Sequence, residues 1–174
     1  MDRPQIANPS PVKKANFPVM NYQLPRQIWT LEDFDEMAWH DCRIHAISFG
    51  RDFKLLFDID FIFKWELTGK KYKFWIAPCT LIFENCYDVD FDLDMSTPGL
   101  EIDTVSRENA RKPKNADFIE SQIEFDWTMA TQQGNITFTS IGFSLYVRRK
   151  PSFSNAQHFE QEERGGISFD QTAI

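Results

Sequence analysis

Cysteine is scarce in this chain: Cys42, Cys79 and Cys86 are the only three in 174 residues. They show no metal-ligand spacing, and an odd number leaves one unpaired in any disulfide scheme. Buried, reduced thiols are therefore expected rather than a zinc site or a disulfide framework. Long apolar runs are missing too. Nowhere do 18 uninterrupted apolar residues occur, and the first residues lack the apolar stretch of a signal peptide, so the expectation is a soluble, cytoplasmic protein with no membrane partner. Basic residues are in deficit, 19 Lys and Arg against 26 Asp and Glu, for a formal charge of -7. Phosphate contacts need clustered cations, so nucleic acid is not an expected partner, whereas a protein with a basic surface is. Helix signals are sparse, there is no internal repeat, and no catalytic or cofactor-binding motif stands out, so no cofactor is expected.

What the chain does have is aromatic residues, 15% of the total, with seventeen Phe. These favour strands and supply a core. The clearest element is Lys54 to Glu66, where Leu55, Phe57, Ile59, Phe61, Phe63 and Trp65 fall on every second position and Lys54, Asp58, Asp60, Lys64 and Glu66 lie between. That is the pattern of a half-buried β-strand. Burying its six apolar side chains contributes on the order of 9 to 18 kcal/mol as an upper bound, enough to anchor a sheet.

Around this strand the sequence predicts an all-β domain with minor helix, an antiparallel sheet curled into a barrel or β-sandwich. The division expected is an extended or mobile lead-in at 1–28, which carries five prolines, a β-rich domain at 29–150, and a C-terminal segment at 151–174. Strands are expected at 43–49, 54–66, 72–83, 87–94, 119–129 and 136–147, with a shorter one near 100–105. Thr30-Leu-Glu-Asp33 reads as a helix start, and residues 155–164 as a short helix ended by Gly165, with Ile167-Ser-Phe169 docking back. Residues 107–117, basic and Pro-bearing, read as an exposed loop. Two strands change apolar parity partway, at Ala77-Pro78 and near Thr139-Ser140. A one-residue slip flips a strand's face, so a bulge is expected at each.

Two polar constellations are candidate interaction sites. The first is Trp39-His-Asp-Cys-Arg-Ile-His45, in which Asp41, Arg43 and His45 share a strand face while His40 points away. It suits an ion pair with a flanking imidazole, and less well an acid/base or metal site. The second is the row Asp88, Asp90, Asp92 and Asp94, which places carboxylates about 7 Å apart on one face, with Asp58 and Asp60 adding to it if the strands are neighbours. Residues 84–103 hold seven acidic side chains and no Lys or Arg. A flat strand face spreads its ligands too widely for calcium, so no metal is expected and the row reads as a solvated or docking face. Carboxyl pairs at glycosidase spacing are trivially met here, and Cys42 beside His40 or His45 lacks the pocket a Cys/His nucleophile needs.

The segments Trp39-His-Asp-Cys-Arg-Ile-His45, Leu56-Phe-Asp-Ile-Asp60, Trp65 and Phe74-Trp-Ile-Ala-Pro78 together resemble a small bacterial all-β family, over about residues 39 to 150. In size and acidity the chain is also similar to immunity proteins that neutralise nuclease or other toxins. The resemblance implies a compact β domain and carries no catalytic residue with it. Three functions are therefore set against one another. The first is a binding module that docks a basic partner through its acidic face, in an immunity-type role. The second is a calycin-like barrel holding a small apolar ligand, and the third a hydrolase centred on His40, Asp41 and His45.

Overall fold

The computed structural model describes residues 22–174, so most of the expected lead-in at 1–28 lies outside the described residues. Strands take up 54% and helix 7%. The strands are β1 (Ile28–Thr30), β2 (Cys42–Phe49), β3 (Leu55–Thr68), β4 (Lys71–Glu84), β5 (Tyr87–Leu93), β6 (Leu100–Arg111), β7 (Glu124–Thr131), β8 (Gly134–Ser140), β9 (Gly142–Val147) and β10 (Ser152–Ser154). Their order is β1-β9-β4-β3-β2-β6-β7-β8-β5, with β10 also on β4, and every pairing is antiparallel. The sheet curls but does not close, leaving β1 and β5 as its ends.

Curling brings β4 over β7 and β8, and aromatic rings fill the space between. Phe83 meets Phe138 at 4.6 Å and Trp127 at 5.1 Å between ring centroids, both near edge-on. This is the arrangement ring quadrupoles prefer. The helical turn expected after Thr30 is a 3-10 helix, Leu31–Glu36, whose start is fixed by Asp33 accepting from the Thr30 N–H at 2.8 Å. It presents Phe34 edge-on to Trp127 at 5.4 Å.

The parity change near Thr139-Ser140 is where the chain passes from one part of the curled sheet to the other. β8 pairs with β7 and β5, Ile141 breaks the strand, and β9 then pairs with β4 and β1. Ile136 and Phe138 before the break, and Phe143, Leu145 and Val147 after it, are all buried. The Ser140 hydroxyl donates to the Glu84 carbonyl at 2.6 Å, and Gly142 takes φ +146° beside Leu31.

The second expected bulge is displaced. Ala77 and Pro78 are regular ladder, opposite Phe61 and Asp60, and the slip lies in β3, where Phe63 is the extra residue between Ile62 and Lys64. Pro78 costs no β3 bond. Its carbonyl accepts from the Arg148 N–H at 3.1 Å, and a strand residue's N and O point to the same side, so the missing donor faces away from β3, where β4's partner changes from β10 to β9.

Other boundaries also move. The strand expected at 119–129 begins at Glu124, and β6 runs on to Arg111, so the expected loop at 107–117 is strand for its first five residues and the connection spans residues 112–123. Pro113 cannot continue the β6 ladder. The expected helix at 155–164 shrinks to α1 (Gln161–Arg164), capped by Gly165 at φ +82° as expected. Phe63 and Phe125 are only half-buried, whereas Phe57, Ile59, Phe61 and Trp127 are buried as expected.

Because Gly142 holds a φ that L side chains rarely adopt, Gly142→Ala is expected to lower unfolding stability by about 1–3 kcal/mol. Urea denaturation measures it. A loss within error of zero would show that the layer switch tolerates an ordinary residue there.

Candidate functional site

Asp58 and Asp60 are not part of the exposed acidic row: both are fully buried. Every residue of β3 from Leu55 to Ile62 is buried, so both faces of this segment are covered. The C-terminal segment covers the face that carries the two carboxylates. Arg164, itself 5% exposed, grips Asp58 with two parallel bonds, Nη1 to Oδ2 at 2.6 Å and Nη2 to Oδ1 at 2.7 Å. Its Nε donates to Asp60 at 3.2 Å. Arg148 also pairs with Asp58, and the Ser168 N–H donates to it at 3.0 Å. Asp60 accepts further from the Phe159 N–H at 2.8 Å and bonds His45 Nε2 at 2.9 Å. Two buried carboxylates thus meet two guanidiniums. Burial works against ionised Asp60, but the His45 and Phe159 hydrogen bonds and the Arg164 charge outweigh it and hold the carboxyl below its ordinary value.

The Trp39 to His45 cluster is split by its partners. His45 is buried against Asp60, while His40 is 60% exposed and lies 2.9 Å from Asp41 and 3.5 Å from Asp103. Asp41 accepts from Gln157 of the C-terminal segment at 2.6 Å, and Arg43 pairs with Glu101 at 2.8 Å. Trp39 is buried edge-on to Phe61 and Phe143. The two imidazoles therefore do not converge with Asp41 around one cleft. What the structure brings together instead is His45, Asp58 and Asp60 with two arginines, and separately Asp41 with a glutamine, the partners being Arg148, Arg164 and Gln157. Sequence reasoning missed these last three. A signal for them was present: Leu56 and Ile62 put apolar residues on the same parity as the two Asp, which marks two-sided burial, and buried carboxylates require cations.

Asp88, Asp90, Asp92 and Asp94 are exposed as expected, on and just after β5 at the sheet's end. Asp88 sits in a bulge at φ +52° and pairs with Lys114 at 3.3 Å. Asp90, Asp92 and Asp94 have no cation partner among the described residues. The start of β5 is pinned by a second polar cluster, in which Tyr87 donates to Glu124 and Arg111 Nε donates to Glu124 at 2.9 Å. Arg111 also reaches Asp126 at 2.7 Å, and Asn109 and Thr139 donate to the same carboxylate. Glu124 is fully buried despite its polar parity. The Arg111 hydrogen bond, then that of Asn109, draws the Asp126 carboxyl down to about 2.

Burial pushes the Cys42 and Cys86 thiols up to about 12 and raises Cys79 as well, so all three stay protonated and none is poised as a nucleophile. Among the described residues no three His, Cys, Asp or Glu side chains are grouped closely enough to hold a metal ion, and no helix is long and apolar enough to cross a membrane. No family model matches the chain, and no curated protein or solved structure is detectably similar to it.

Removing one member of the buried ionic cluster leaves charge uncompensated in a dry site. Arg164→Met is expected to cost about 3–5 kcal/mol in urea unfolding, and Arg164→Lys less than that but more than a surface change, because Lys lacks the planar fork. A loss below about 1 kcal/mol for Arg164→Met would mean that the C-terminal segment does not depend on the cluster.

A carboxyl whose folded value is lowered contributes stability that is present above its unfolded value and disappears as pH falls through the folded one. Asp60 and Asp126 are both lowered, Asp126 from 3.8 to about 2. The urea midpoint should therefore be nearly level between about pH 5 and pH 8 and decline from about pH 4 towards pH 2. Asp126→Asn should shallow that decline, and an unchanged slope would remove Asp126 from it.

Proposed function

We propose that the chain is a protein-interaction module that docks a basic partner surface through its acidic edge strand. The observation that carries this reading is the placement of Asp90, Asp92 and Asp94. They are exposed, in or beside the last strand of the sheet, with no cation of the described chain to neutralise them, whereas Asp58, Asp60, Asp88, Glu101, Glu124 and Asp126 each have one. Such a surface steers a basic partner into place and gives specificity through charge complementarity. Neutralising a basic toxin is a role this chemistry suits, in keeping with the acidity of the whole chain. The calycin-like alternative lacks such support. The sheet is open, its interior is filled by aromatic rings, and a groove of about 720 Å3 lies at the surface between the β2–β3 turn and residues 112–123. A hydrolase centred on His40, Asp41 and His45 would need the convergence that the two histidines' separate partners deny it.

The test is affinity capture on the immobilised chain at about 0.05 M salt and again at about 0.5 M, where screening reaches within a few ångströms. A basic protein should be retained at low salt and released at high salt. The exposed triple variant D90N/D92N/D94N, which should fold normally, should retain little of it. Salt-insensitive capture, or capture undiminished in the variant, would overturn the reading.

A further inference from the structure

The curled sheet has a seam. β2 is bonded on one side to β3 along most of its length, but on the other side it meets β6 only from Cys42 to Ile44, opposite Ile102 to Leu100. From Ala46 to Phe49 that second edge has no strand partner among the described residues. β5, the last strand in the order, pairs only with β8 and leaves its other edge equally free. These two free edges face one another. The β5–β6 connection, residues 94–99, returns the chain beside Ile44, and Phe49 meets Phe91 edge-on at 6.2 Å. No ladder joins the strands there, and two grooves flank the junction. One, of about 330 Å3, lies between Arg43–Ile47 of β2 and Met95, Gly99 and Leu100, of the β5–β6 connection and the start of β6; the other, of about 420 Å3, lies between Phe49, Phe53 and Val89 of β5.

The chemistry of the seam is two-sided. On the parity of Asp90 and Asp92 it presents carboxylates without cations; on the other it presents exposed apolar surface, with Phe49 68%, Met95 56% and Phe91 39% exposed. Asp90 and Asp92 are about 7 Å apart along the strand, which is the spacing of every second residue in an extended chain laid beside them. Directly opposed side chains on neighbouring strands come within about 5 Å, so opposite charges there pair. A folded basic surface would meet the carboxylates alone. An extended segment would satisfy the carboxylates, the apolar rings and the unbonded backbone groups at once.

We propose that the β5–β2 seam takes up an extended segment of a partner protein as an added strand. Its Lys or Arg residues would stand at alternate positions opposite Asp90 and Asp92, and its apolar residues between them against Phe49 and Phe91. This rests on the acidic-edge reading above and adds to it a backbone ladder, which is the mode of β-strand addition. The same acidic side chains and the Asp88 bulge are also devices that keep a sheet edge from pairing. The experiment therefore has to separate reception of a strand from mere protection of an edge.

The probe is a blocked peptide of about nine residues with alternating Lys and Val. Comparators are a peptide of the same composition with its Lys in one block, and two versions of the alternating peptide N-methylated at one or the other set of alternate amides. Calorimetry at low salt should show the alternating peptide binding about tenfold or more tighter than the blocked-order peptide. Each N-methylated version should bind at least about tenfold more weakly than the parent, because one set of amides faces β5 and the other faces the free edge of β2. Amide exchange in β5 should slow on binding, and the D90N/D92N variant, checked for unchanged thermal unfolding, should bind about tenfold or more weakly. Equal binding of all four peptides would overturn the added strand while leaving acidic-edge docking intact. Binding of none, with Asp90- and Asp92-dependent capture of a basic protein retained, would do the same. Binding of none together with capture indifferent to these residues would overturn both. Self-association of the D90N/D92N variant without peptide binding would assign the row to edge protection only, and a wild-type dimer sealed through β5 would give the seam to a second copy; either result overturns the proposal.

Discussion

Two carboxylates in the middle of the central strand have no access to water, and the rest of the C-terminal structure follows from that. Asp58 and Asp60 lose their hydration when β3 is covered on both faces, a cost of several kcal/mol for each ion, and only Arg148 and Arg164 return the cluster to neutrality. Arg148 follows directly on β9, and Arg164 closes α1, so satisfying the carboxylates fixes where the last 20 or so residues lie. The backbone N–H groups of Phe159 and Ser168 complete the arrangement from the same segment. Hydrophobic cover could lie over β3 in several registers. The bidentate grip of Arg164 on Asp58 admits one.

The inner face of the sheet uses a different device. Phe83, Trp127, Phe138 and Phe143 interlock edge to face, and the passage from β8 to β9 through Gly142 lets one stretch of chain serve both parts of the curl. The Tyr87, Arg111, Glu124 and Asp126 cluster then ties the start of β5 to β6, β7 and β8. The edge strand is thereby held at one end while its outer side remains free.

Asp58-Ile-Asp60 and Asp88-Val-Asp-Phe-Asp92 are the same pattern in the letters, carboxylates alternating with apolar residues, yet their environments are opposite. The difference is supplied by what lies over them. The first pair meets guanidiniums brought from about a hundred residues away in the chain, and so is available for structure alone. In the second, Asp88 meets Lys114 at the surface, while Asp90 and Asp92 meet no cation of the described residues and keep their charge for whatever approaches from outside. A count of acidic residues therefore overstates the acidic face by the two that are buried.

The alternation in Leu55 to Trp65, the aromatic content and the turn residues were enough to determine an antiparallel β protein with most of its strands near their observed places, because period-two patterning and local turn chemistry act between close neighbours. The exposed row on β5 was legible for the same reason. Other features were not legible. Glu124 and the two β3 carboxylates look solvent-facing until Arg111, Arg148 and Arg164 arrive. The parity break at Ala77-Pro78 is absorbed by an extra residue in the partner strand. The pairing of His45 with Asp60 rather than with Asp41 depends on register across β2 and β3. The sequence by itself determined which segments are strands and which side chains of each alternate. Which face of a strand is covered, which carboxylates find cations, and which two edges are left unbonded were decided only by the tertiary structure, since each depends on contacts between residues far apart in the chain that local alternation does not encode.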